Sequence, residues 1–376
     1  RPDRRPGVVS PAPRIGLLAG EASGDLLGAG LMTALRDRRP GIACVGVGGP
    51  AMRAAGLQSL HRSEQLAVNG LAGPLRRLPE FLRLLRGLER TLACARLDAF
   101  VGIDFNVFNL ALERRLRRSG LAVVHYVSPS VYAWRRGRVA GVAAAADRLL
   151  TLFPFEADFY AGRSLEVVHV GHPLADELAP PADRSALRAE LDPEGGSGPL
   201  LAMLPGSLAS ELDAHCVPFL QAAGQLARRR PDLRVLVAVL DAAAARRVAA
   251  LAAGLPDRGG CSVRIVTGRT RAVLGAADLA LVKAGTGTLE AMLLGTPMVV
   301  AYRLDRLTHA LLRPLVHAPF FALPNLLANR ALVPELIQDA ATPARLAEAL
   351  AVVAADAEGQ RRAFAALAAP LRRGAA

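Results

Sequence analysis

Short apolar stretches alternate with helix-length segments along the whole chain. In the first half they predict strands over residues 14–19, 42–47, 99–103, 123–127, 148–152 and 167–170. In the second half they predict strands over residues 200–204, 235–240, 263–266, 279–282 and 298–301. Nearly continuous apolar strands separated by helices are typical of parallel sheets covered on both faces. The pattern predicts two doubly wound α/β units facing a cleft, with ligands at the carboxyl ends of the strands.

A Pro-rich segment that begins at His172 separates the two series of strands and is predicted to be a linker. We therefore predict an N-terminal Rossmann-like domain over residues 1–175 and a C-terminal one over 176–345. Residues 346–376 are predicted to form a helical segment that packs on the N-terminal domain or on a partner subunit. A chain of 376 residues has room for this division.

The composition indicates a folded protein with anionic ligands. Hydrophobic residues make up 52% of the chain and charged residues 21%, which excludes a disordered protein. The net charge is +13, and Lys283 is the only lysine among 46 basic residues. Arginine binds phosphate through a planar fork, so this excess suits phosphorylated ligands, anionic lipid or nucleic acid. Only 4% of residues are aromatic, which argues against a nucleic-acid partner.

Metal, disulfide and membrane-spanning chemistry are not expected. The four cysteines, Cys44, Cys94, Cys216 and Cys261, form no closely spaced pair and are predicted to be reduced, packed thiols. The histidines are scattered and no Asp-x-Asp pair occurs, so neither a metal nor another cofactor is predicted. No apolar run reaches the ~18 residues that a spanning helix needs, so we expect a chain that is soluble or lies on a membrane surface.

Two glycine turns in the second half each follow an apolar strand and open a helix. The first contains Gly206 and Ser207, and its unpaired backbone N–H groups suit a diphosphate. The alternative is an ordinary turn with Ser207 as the helix N-cap.

The second turn offers Gly285 for close approach to a ligand, and Thr286 and Thr288 as hydroxyl donors. Glu290, in the predicted first helical turn, could accept from both ribose hydroxyls, or could only complement the helix dipole. Together, the two turns indicate one nucleotide held by its phosphates and its sugar.

The first half carries a third turn and a candidate base. Residues 20–25 form a Gly-containing turn without the spacing of a dinucleotide-binding fingerprint. Asp104 ends an apolar strand, where a carboxylate could take a proton from an attacking hydroxyl. The alternative, that Asp104 caps the following helix, is equally compatible with the sequence.

A basic amphipathic helix is predicted over residues 79–92. Its leucines share one face, while Arg83, Arg86 and Arg90 lie close together on another. With the apolar segment 66–75 before it, the helix fits a surface resting on anionic lipid. The alternative is a helix that packs its leucine face on the sheet, and both hold if only the apolar segment enters the membrane.

Nine segments, in order over nearly the whole chain, resemble the lipid-A-disaccharide synthase family. They are AGEASGDLLGAGL (19–31), VGVGGPAM (45–52), GID (102–104), HYVSPSVYAW (125–134), LFPFE (152–156), GHPLAD (171–176), PGS (205–207), GTGTLE (285–290) and ALPNLLA (322–328). The resemblance implies the GT-B fold, which is two Rossmann-like parallel-sheet domains facing across a cleft.

The resemblance also implies an activity. UDP-2,3-diacylglucosamine would donate its sugar to the 6-hydroxyl of 2,3-diacylglucosamine 1-phosphate, giving a β-1,6-linked disaccharide 1-phosphate and UDP. Asp104 matches the family's proposed general base. The nucleotide-sugar positions are Gly206, Ser207, Gly285, Thr286, Thr288, Glu290 and Asn325, and the N-terminal loop and acceptor positions are Glu21, Ser23, Asp25, Ser128 and His172. A peripheral location on the cytoplasmic face of the inner membrane and a homodimer are further expectations.

Three positions depart from the family pattern. Leu208 replaces the arginine of Pro-Gly-Ser-Arg, which removes a charged hydrogen bond worth ~1.5–3 kcal/mol. Ala284 replaces a serine, although Lys283 beside it brings a new charge, and Val107 replaces a second acid after Asp104. Two alternatives stay open: a transferase or epimerase that uses a soluble nucleotide sugar, and a silent relative that only binds UDP-sugar or lipid, which the three departures allow.

Overall fold

The computed structural model describes residues 12–60, 78–131, 137–193, 195–255, 260–305 and 319–374. The chain divides into two compact units between Pro173 and Leu174, two residues before the predicted boundary, and the second unit extends to Arg373. The predicted apolar segment 66–75 and Trp134 lie outside the described residues.

The first unit is a parallel sheet with helices between its strands. Its strands are β1 (Arg14–Ala19), β2 (Ala43–Val47), β3 (Gln58–Ser59), β4 (Ala99–Ile103), β5 (Ala122–Tyr126), β6 (Arg148–Thr151) and β7 (Glu166–His169). Its helices are α1 (Ala22–Arg38), α2 (Pro50–Ala54), α3 (Leu78–Cys94), α4 (Asn106–Arg118) and α5 (Arg138–Ala145). The strands lie in the order β3-β2-β1-β4-β5-β6-β7, and every neighbouring pair is parallel.

Helix α3 packs its leucine face into the core of the first unit. Leu85, Leu88 and Leu92 are buried there, and the Phe81 ring contacts the Phe108 ring edge-on at 5.3 Å. The arginines of α3 are exposed. The packing alternative for this helix is therefore confirmed, and its arginine face stays accessible.

The second unit repeats this architecture. Its strands are β8 (Leu200–Leu204), β9 (Arg234–Val239), β10 (Ser262–Thr267), β11 (Leu279–Lys283), β12 (Met298–Tyr302) and β13 (Glu335–Ile337). Its helices are α6 (Pro173–Glu177), α7 (Arg184–Leu191), α8 (Ala209–Ala227), α9 (Ala242–Ala253), α10 (Thr270–Ala276), α11 (Thr286–Leu293), α12 (Leu323–Ala328), α13 (Pro343–Ala355) and α14 (Ala357–Ala368). The parallel strands lie in the order β10-β9-β8-β11-β12-β13.

The C-terminal helices belong to the second unit. Leu346, Leu350 and Val353 of α13 are buried in its core, and the Arg372 guanidinium donates to the Ala175 carbonyl at 2.9 Å. The structure thus places residues 343–373 in this unit instead of in a separate segment from 346.

Each sheet has one point at which the strand order reverses. Strand β1 lies between β2 and β4, and β8 lies between β9 and β11. In open α/β sheets ligands bind outside the carboxyl ends of the strands at such points. The predicted site turns follow β1, β4, β8 and β11, so each unit presents two of them at its switch point.

Three of the four cysteines are packed as predicted. Cys44 and Cys216 are buried and Cys261 is half-buried, whereas Cys94, near the end of α3, is exposed, so the prediction of packing is wrong for Cys94. Among the described helices, none combines the length and the apolar character that crossing a bilayer requires.

Candidate functional site

The turn after β8 is shaped by Gly206 and closed by Glu211. Gly206 has a φ of 130°, and a Cβ at this residue would lie 2.5 Å from the Glu211 Cβ, so only glycine fits without strain. The backbone N–H groups of Ser207 and Leu208 donate to Glu211 Oε2 at 2.9 and 3.3 Å. Helix α8 begins at Ala209, which makes Leu208 the N-cap; the alternative role of Ser207 as N-cap is therefore wrong.

The turn after β11 brings Gly285, Thr286 and Thr288 to the start of α11. Gly285 is the N-cap, with a φ of 151°, and the buried Thr288 hydroxyl donates to its carbonyl at 2.7 Å. Because α11 begins at Thr286, Glu290 is its fifth residue and lies in the second turn, so the prediction of a first-turn carboxylate is wrong.

These two turns lie side by side. Their strands β8 and β11 pair in parallel, and Lys283 Nζ forms an ion pair with Glu211 Oε1 at 2.6 Å. The same ammonium lies 3.5 Å from the position of a Cβ on Gly285. Burial raises the pKa of Glu211, but hydrogen bonds from Lys283 and from the Ser207 N–H outweigh burial and leave that pKa below its ordinary value.

Glu290 is oriented by a neighbouring arginine. Arg271 Nε donates to Glu290 Oε1 at 3.1 Å, and Arg271 Nη1 also contacts Glu177 Oε2 at 3.3 Å. The Glu290 side chain is 17% exposed. A carboxylate fixed in this way next to a glycine turn suits the recognition of neighbouring hydroxyls.

Asn325 is occupied within its own unit. The side chain, in a residue that is 1% exposed, donates to the Val333 carbonyl at 2.9 Å and to Glu335 Oε1 at 2.7 Å. Its Oδ1 accepts from the N–H groups of Leu332 and Val333 at 2.8 and 2.7 Å. This amide has no hydrogen-bonding capacity left for a nucleotide, so the predicted contact is not present in this conformation.

Asp104 stands at the switch point of the first unit. It follows β4 with a φ of 50°, and its N–H donates to the Tyr126 carbonyl at 2.9 Å. The buried Asn109 amide donates to the Asp104 carbonyl at 2.9 Å and to the Leu18 carbonyl at 3.3 Å. These bonds hold a left-handed backbone that aspartate adopts more readily than most residues. The Phe105 backbone provides the N-cap of α4, so the capping alternative for Asp104 is wrong.

The first turn of α1 delivers a hydroxyl to Asp104: the helix begins at Ala22, so the prediction of a turn over residues 20–25 is wrong from Ala22 onward. Ser23 Oγ donates to Asp104 Oδ2 at 3.1 Å. Burial raises the pKa of Glu21, and the Asp104 charge raises it further, so these two carboxyls lie near each other. Asp25 faces away from them, because its oxygens accept from the N–H groups of Ala51 and Met52 at 2.9 and 3.0 Å. Asp25 therefore caps α2.

Ser128 and His172 are largely enclosed. The Ser128 hydroxyl lies 2.9 Å from the Tyr160 hydroxyl. The His172 ring centroid lies 5.4 Å from that of Phe153, and burial lowers the pKa of His172 to about 4, so it is neutral at pH 7. A neutral imidazole can exchange hydrogen bonds with a sugar but adds no charge.

The buried Glu156 carboxyl is expected to make the stability of the folded protein depend on pH. Burial raises its pKa from 4.5 to about 7, despite hydrogen bonds from the Phe153 and Leu152 N–H groups. The native state thus holds this proton more tightly than the unfolded state, and the resulting stability is lost as the pH rises through 7. We expect Glu156→Gln to raise Tm by about 5 °C at pH 8.5 and to leave it unchanged at pH 4.5. A variant whose thermal unfolding follows the wild type at both pH values contradicts this assignment.

Sequence reasoning missed four residues that shape the site. Asn106 and Asn109 both donate to Asp104. Glu211 accepts from the Ser207 N–H, and Arg271 donates to Glu290. Glu211 carried a signal, since it stands four residues after Ser207, at a helix start. In the described part of the chain, no group of three His, Cys, Asp or Glu side chains is placed to hold a metal.

Known proteins resemble this chain in sequence and in fold. The profile of a family described as Lipid-A-disaccharide synthetase matches residues 15–367. A lipid-A-disaccharide synthase of Azotobacter vinelandii is 51% identical over 90% of this chain and 88% of its own length. One of Pseudomonas aeruginosa is 48% identical over 96% of this chain and 95% of its own length.

Among solved structures, Acinetobacter baumannii MurG has a TM-score of 0.58 at 14% identity over 96% of this chain and 95% of that chain. A putative UDP-N-acetylglucosamine 2-epimerase from Listeria monocytogenes has a TM-score of 0.61 at 10% identity, over 97% of this chain and 93% of that chain. These likenesses confirm the GT-B fold. The match of the family profile and the two sequence relatives establish that the chain belongs to the lipid-A-disaccharide synthase family of hexosyltransferases.

Proposed function

We propose that the chain joins UDP-2,3-diacylglucosamine to 2,3-diacylglucosamine 1-phosphate, with Asp104 as general base and without a metal. The observation that carries this proposal is the placement of four predicted turns at the two switch points, with Asp104 on one and the Ser207 and Gly285 turns on the other. The first unit thereby carries a candidate base, and the second unit carries a candidate anion-binding surface.

The second unit supplies the donor site. The positive dipole ends of α8 and α11 would face the diphosphate, which would displace Glu211 from the N–H groups of Ser207 and Leu208. Glu290, oriented by Arg271, accepts from the ribose hydroxyls. Lys283 lies between the two turns, where its ammonium pairs with Glu211 Oε1 at 2.6 Å and would become available to a diphosphate that displaces Glu211.

The first unit supplies the acceptor site. Asp104 takes the proton of the acceptor 6-hydroxyl, whose oxygen forms a bond to the anomeric carbon of the donor. The bond between that carbon and the diphosphate oxygen breaks, and UDP leaves with the electron pair. Positive charge develops on the sugar ring in such transfers, and the leaving diphosphate is stabilised by the helix N-termini and Lys283. The Ser23, Ser128 and His172 side chains are the proposed acceptor contacts.

The exposed arginine face of α3 supports a location on anionic membrane. Arg83, Arg86 and Arg90 are exposed while the leucine face is buried, so the helix can rest on lipid headgroups without unpacking. The acyl chains of both substrates would then stay near the lipid while the sugar heads react.

One observation favours a second candidate, a silent relative that binds lipid without transfer. The Glu211 carboxylate accepts from the same N–H groups that a diphosphate would use. If Glu211 does not yield them, transfer to the acceptor is blocked.

A panel of acceptors separates these candidates. The purified chain is given UDP-2,3-diacylglucosamine with the diacylated acceptor or with its deacylated form, and release of UDP is measured. We expect UDP release with the diacylated acceptor alone. Equal release with both acceptors would indicate a transferase for soluble sugars, and binding without release would indicate the silent relative.

Restoring an arginine at position 208 is expected to tighten UDP binding. Leu208 is 61% exposed at the N-cap of α8, so a guanidinium there can reach a diphosphate at the helix N-terminus. Leu208→Arg should lower the UDP dissociation constant about ten-fold, as measured by calorimetry. Val352→Arg on α13, where the side chain is 64% exposed, adds the same charge as a control and should leave UDP affinity unchanged. An equal effect of both variants would mean that only net charge matters.

A further inference from the structure

A chain of hydrogen bonds connects Asp104 to a buried pair of side chains, the Glu113 carboxyl on α4 and the His125 imidazole on β5. Asn106 Nδ2 donates to Asp104 Oδ1 at 3.4 Å, and the Asn106 Oδ1 lies 3.2 Å from His125 Nε2. His125 Nδ1 lies 2.7 Å from Glu113 Oε1. We propose that Asn106, held by the Glu113–His125 pair, is a positioning residue for the Asp104 base. This inference rests on the proposed function of Asp104.

The Glu113–His125 pair lies inside the fold. Both side chains are 0% exposed, and a Cβ on Gly102 of β4 would overlap Glu113 Oε1, so the carboxyl packs directly on the strand that carries Asp104. Among the described residues, Glu113 Oε2 has no hydrogen-bond partner. A buried carboxyl that lacks other donors depends on His125 for its stabilisation.

The direction of each bond follows from Asp104. A carboxylate only accepts, so the Asn106 amide must turn its NH₂ toward Asp104 and its oxygen toward His125. That oxygen can only accept, so His125 Nε2 carries a proton and donates it. His125 Nδ1 and Glu113 then share one further proton, and together they fix which way the Asn106 amide points.

This orientation affects the base itself. Asn106 bonds to Oδ1 of Asp104 and Ser23 to Oδ2, so together they fix the direction in which the carboxylate faces an acceptor hydroxyl. Catalytic hydrogen bonds are often long before substrate binds and tighten in the reacting complex, which accommodates the 3.4 Å separation. Glu21, the N-cap of α1, is a neighbouring carboxyl: burial raises the pKa of Glu21 and the Asp104 charge raises it further. Asn106 and Ser23 donate to the two oxygens of Asp104.

Two variants of Asn106 test the proposal. The readout is the split between kcat and KM. Asn106→Ala removes the donor that orients Asp104, so kcat should fall about ten-fold at neutral pH. Asn106→Asp keeps the volume but replaces the donor by an acceptor beside Asp104, so its kcat should fall further. KM for UDP-sugar should stay constant, because the donor turns belong to the second unit.

A matched control breaks a different ion pair on the same helix. Arg115 on α4 pairs with Glu89 at 2.8 Å, and both side chains are 33% exposed. Glu89→Gln should leave kcat and KM unchanged. If both Asn106 variants also keep the wild-type kcat, the positioning role is refuted.

Two substitutions of His125 separate the roles of its two ring nitrogens and still fill most of its buried volume. A glutamine at 125 places an amide near Nε2 and keeps a donor to Asn106, whereas an asparagine places its amide near Nδ1 and contacts only Glu113. His125→Gln should therefore retain several-fold more kcat than His125→Asn at similar Tm. Equal kcat values would overturn the role of the pair. If Asp104 is not the base, the Asp104→Ala variant stays active, which distinguishes failure of the proposed function from failure of the positioning role.

Discussion

Replacing Asp104 with alanine is expected to reduce kcat by about 10³-fold while leaving UDP affinity nearly unchanged. Asp104 is the proposed acceptor of the hydroxyl proton, and its carboxylate accepts bonds from Ser23 and Asn106 at the switch point of the first unit. The proposed UDP contacts all belong to the second unit. Single-turnover rates and calorimetric titration with UDP measure the two quantities separately.

An aspartate at the other end of the same strand provides the control. Asp98, just before β4, accepts from the Arg14 N–H at 2.6 Å and stands away from the carboxyl edge. Asp98→Asn should retain full kcat. An Asp104→Ala variant with more than about a tenth of wild-type kcat would remove Asp104 from the role of base, since general-base catalysis contributes at least ~10²-fold.

Replacing Asn325 with alanine is expected to destabilise the second unit by about 3 kcal/mol. The substitution removes the Asn325 partner of three backbone groups: the Val333 carbonyl and the N–H groups of Leu332 and Val333. Glu335 also loses one bond but keeps those from the Phe321 and Ala322 N–H groups. These groups surround Asn325, which is 1% exposed. Urea unfolding at fixed pH measures this loss, and UDP titration below the transition measures the nucleotide contact.

Asn329 ends the same helix and serves as the control for Asn325. It has a φ of 48°, a conformation that glycine adopts without strain, so Asn329→Gly should change stability by less than about 0.5 kcal/mol. If Asn325→Ala kept wild-type stability and lost UDP affinity, the nucleotide contact inferred from the family resemblance would be correct, and the structural role would be wrong.

The strands could be predicted from the sequence because parallel strands buried on both faces are continuous apolar runs. Strands such as β8 and β9 are buried at every position, and each predicted strand is present within one residue at either end. Strands β3 and β13 were missed. They have two and three residues, lie at sheet edges and contain polar residues, so their pairing depends on neighbours that local pattern does not reveal.

The positions of the site turns could be predicted, but the contacts within them could not. Glycine after a buried strand signalled the turns at Gly206 and Gly285. The Lys283–Glu211 ion pair joins residues 72 positions apart, and it forms only because β8 and β11 are neighbours. The capping role of Asp25 likewise depends on α2, which lies a strand further along the chain.

The identity of the product tests the central claim most directly. The wild-type chain is incubated with UDP-2,3-diacylglucosamine and 2,3-diacylglucosamine 1-phosphate, with and without EDTA, and the lipids are analysed by mass spectrometry. We expect equal amounts of tetraacylated disaccharide 1-phosphate in both reactions, with UDP as the second product. Intact substrates after complete mixing would contradict the transfer, and product only in the reaction without EDTA would contradict the metal-free mechanism.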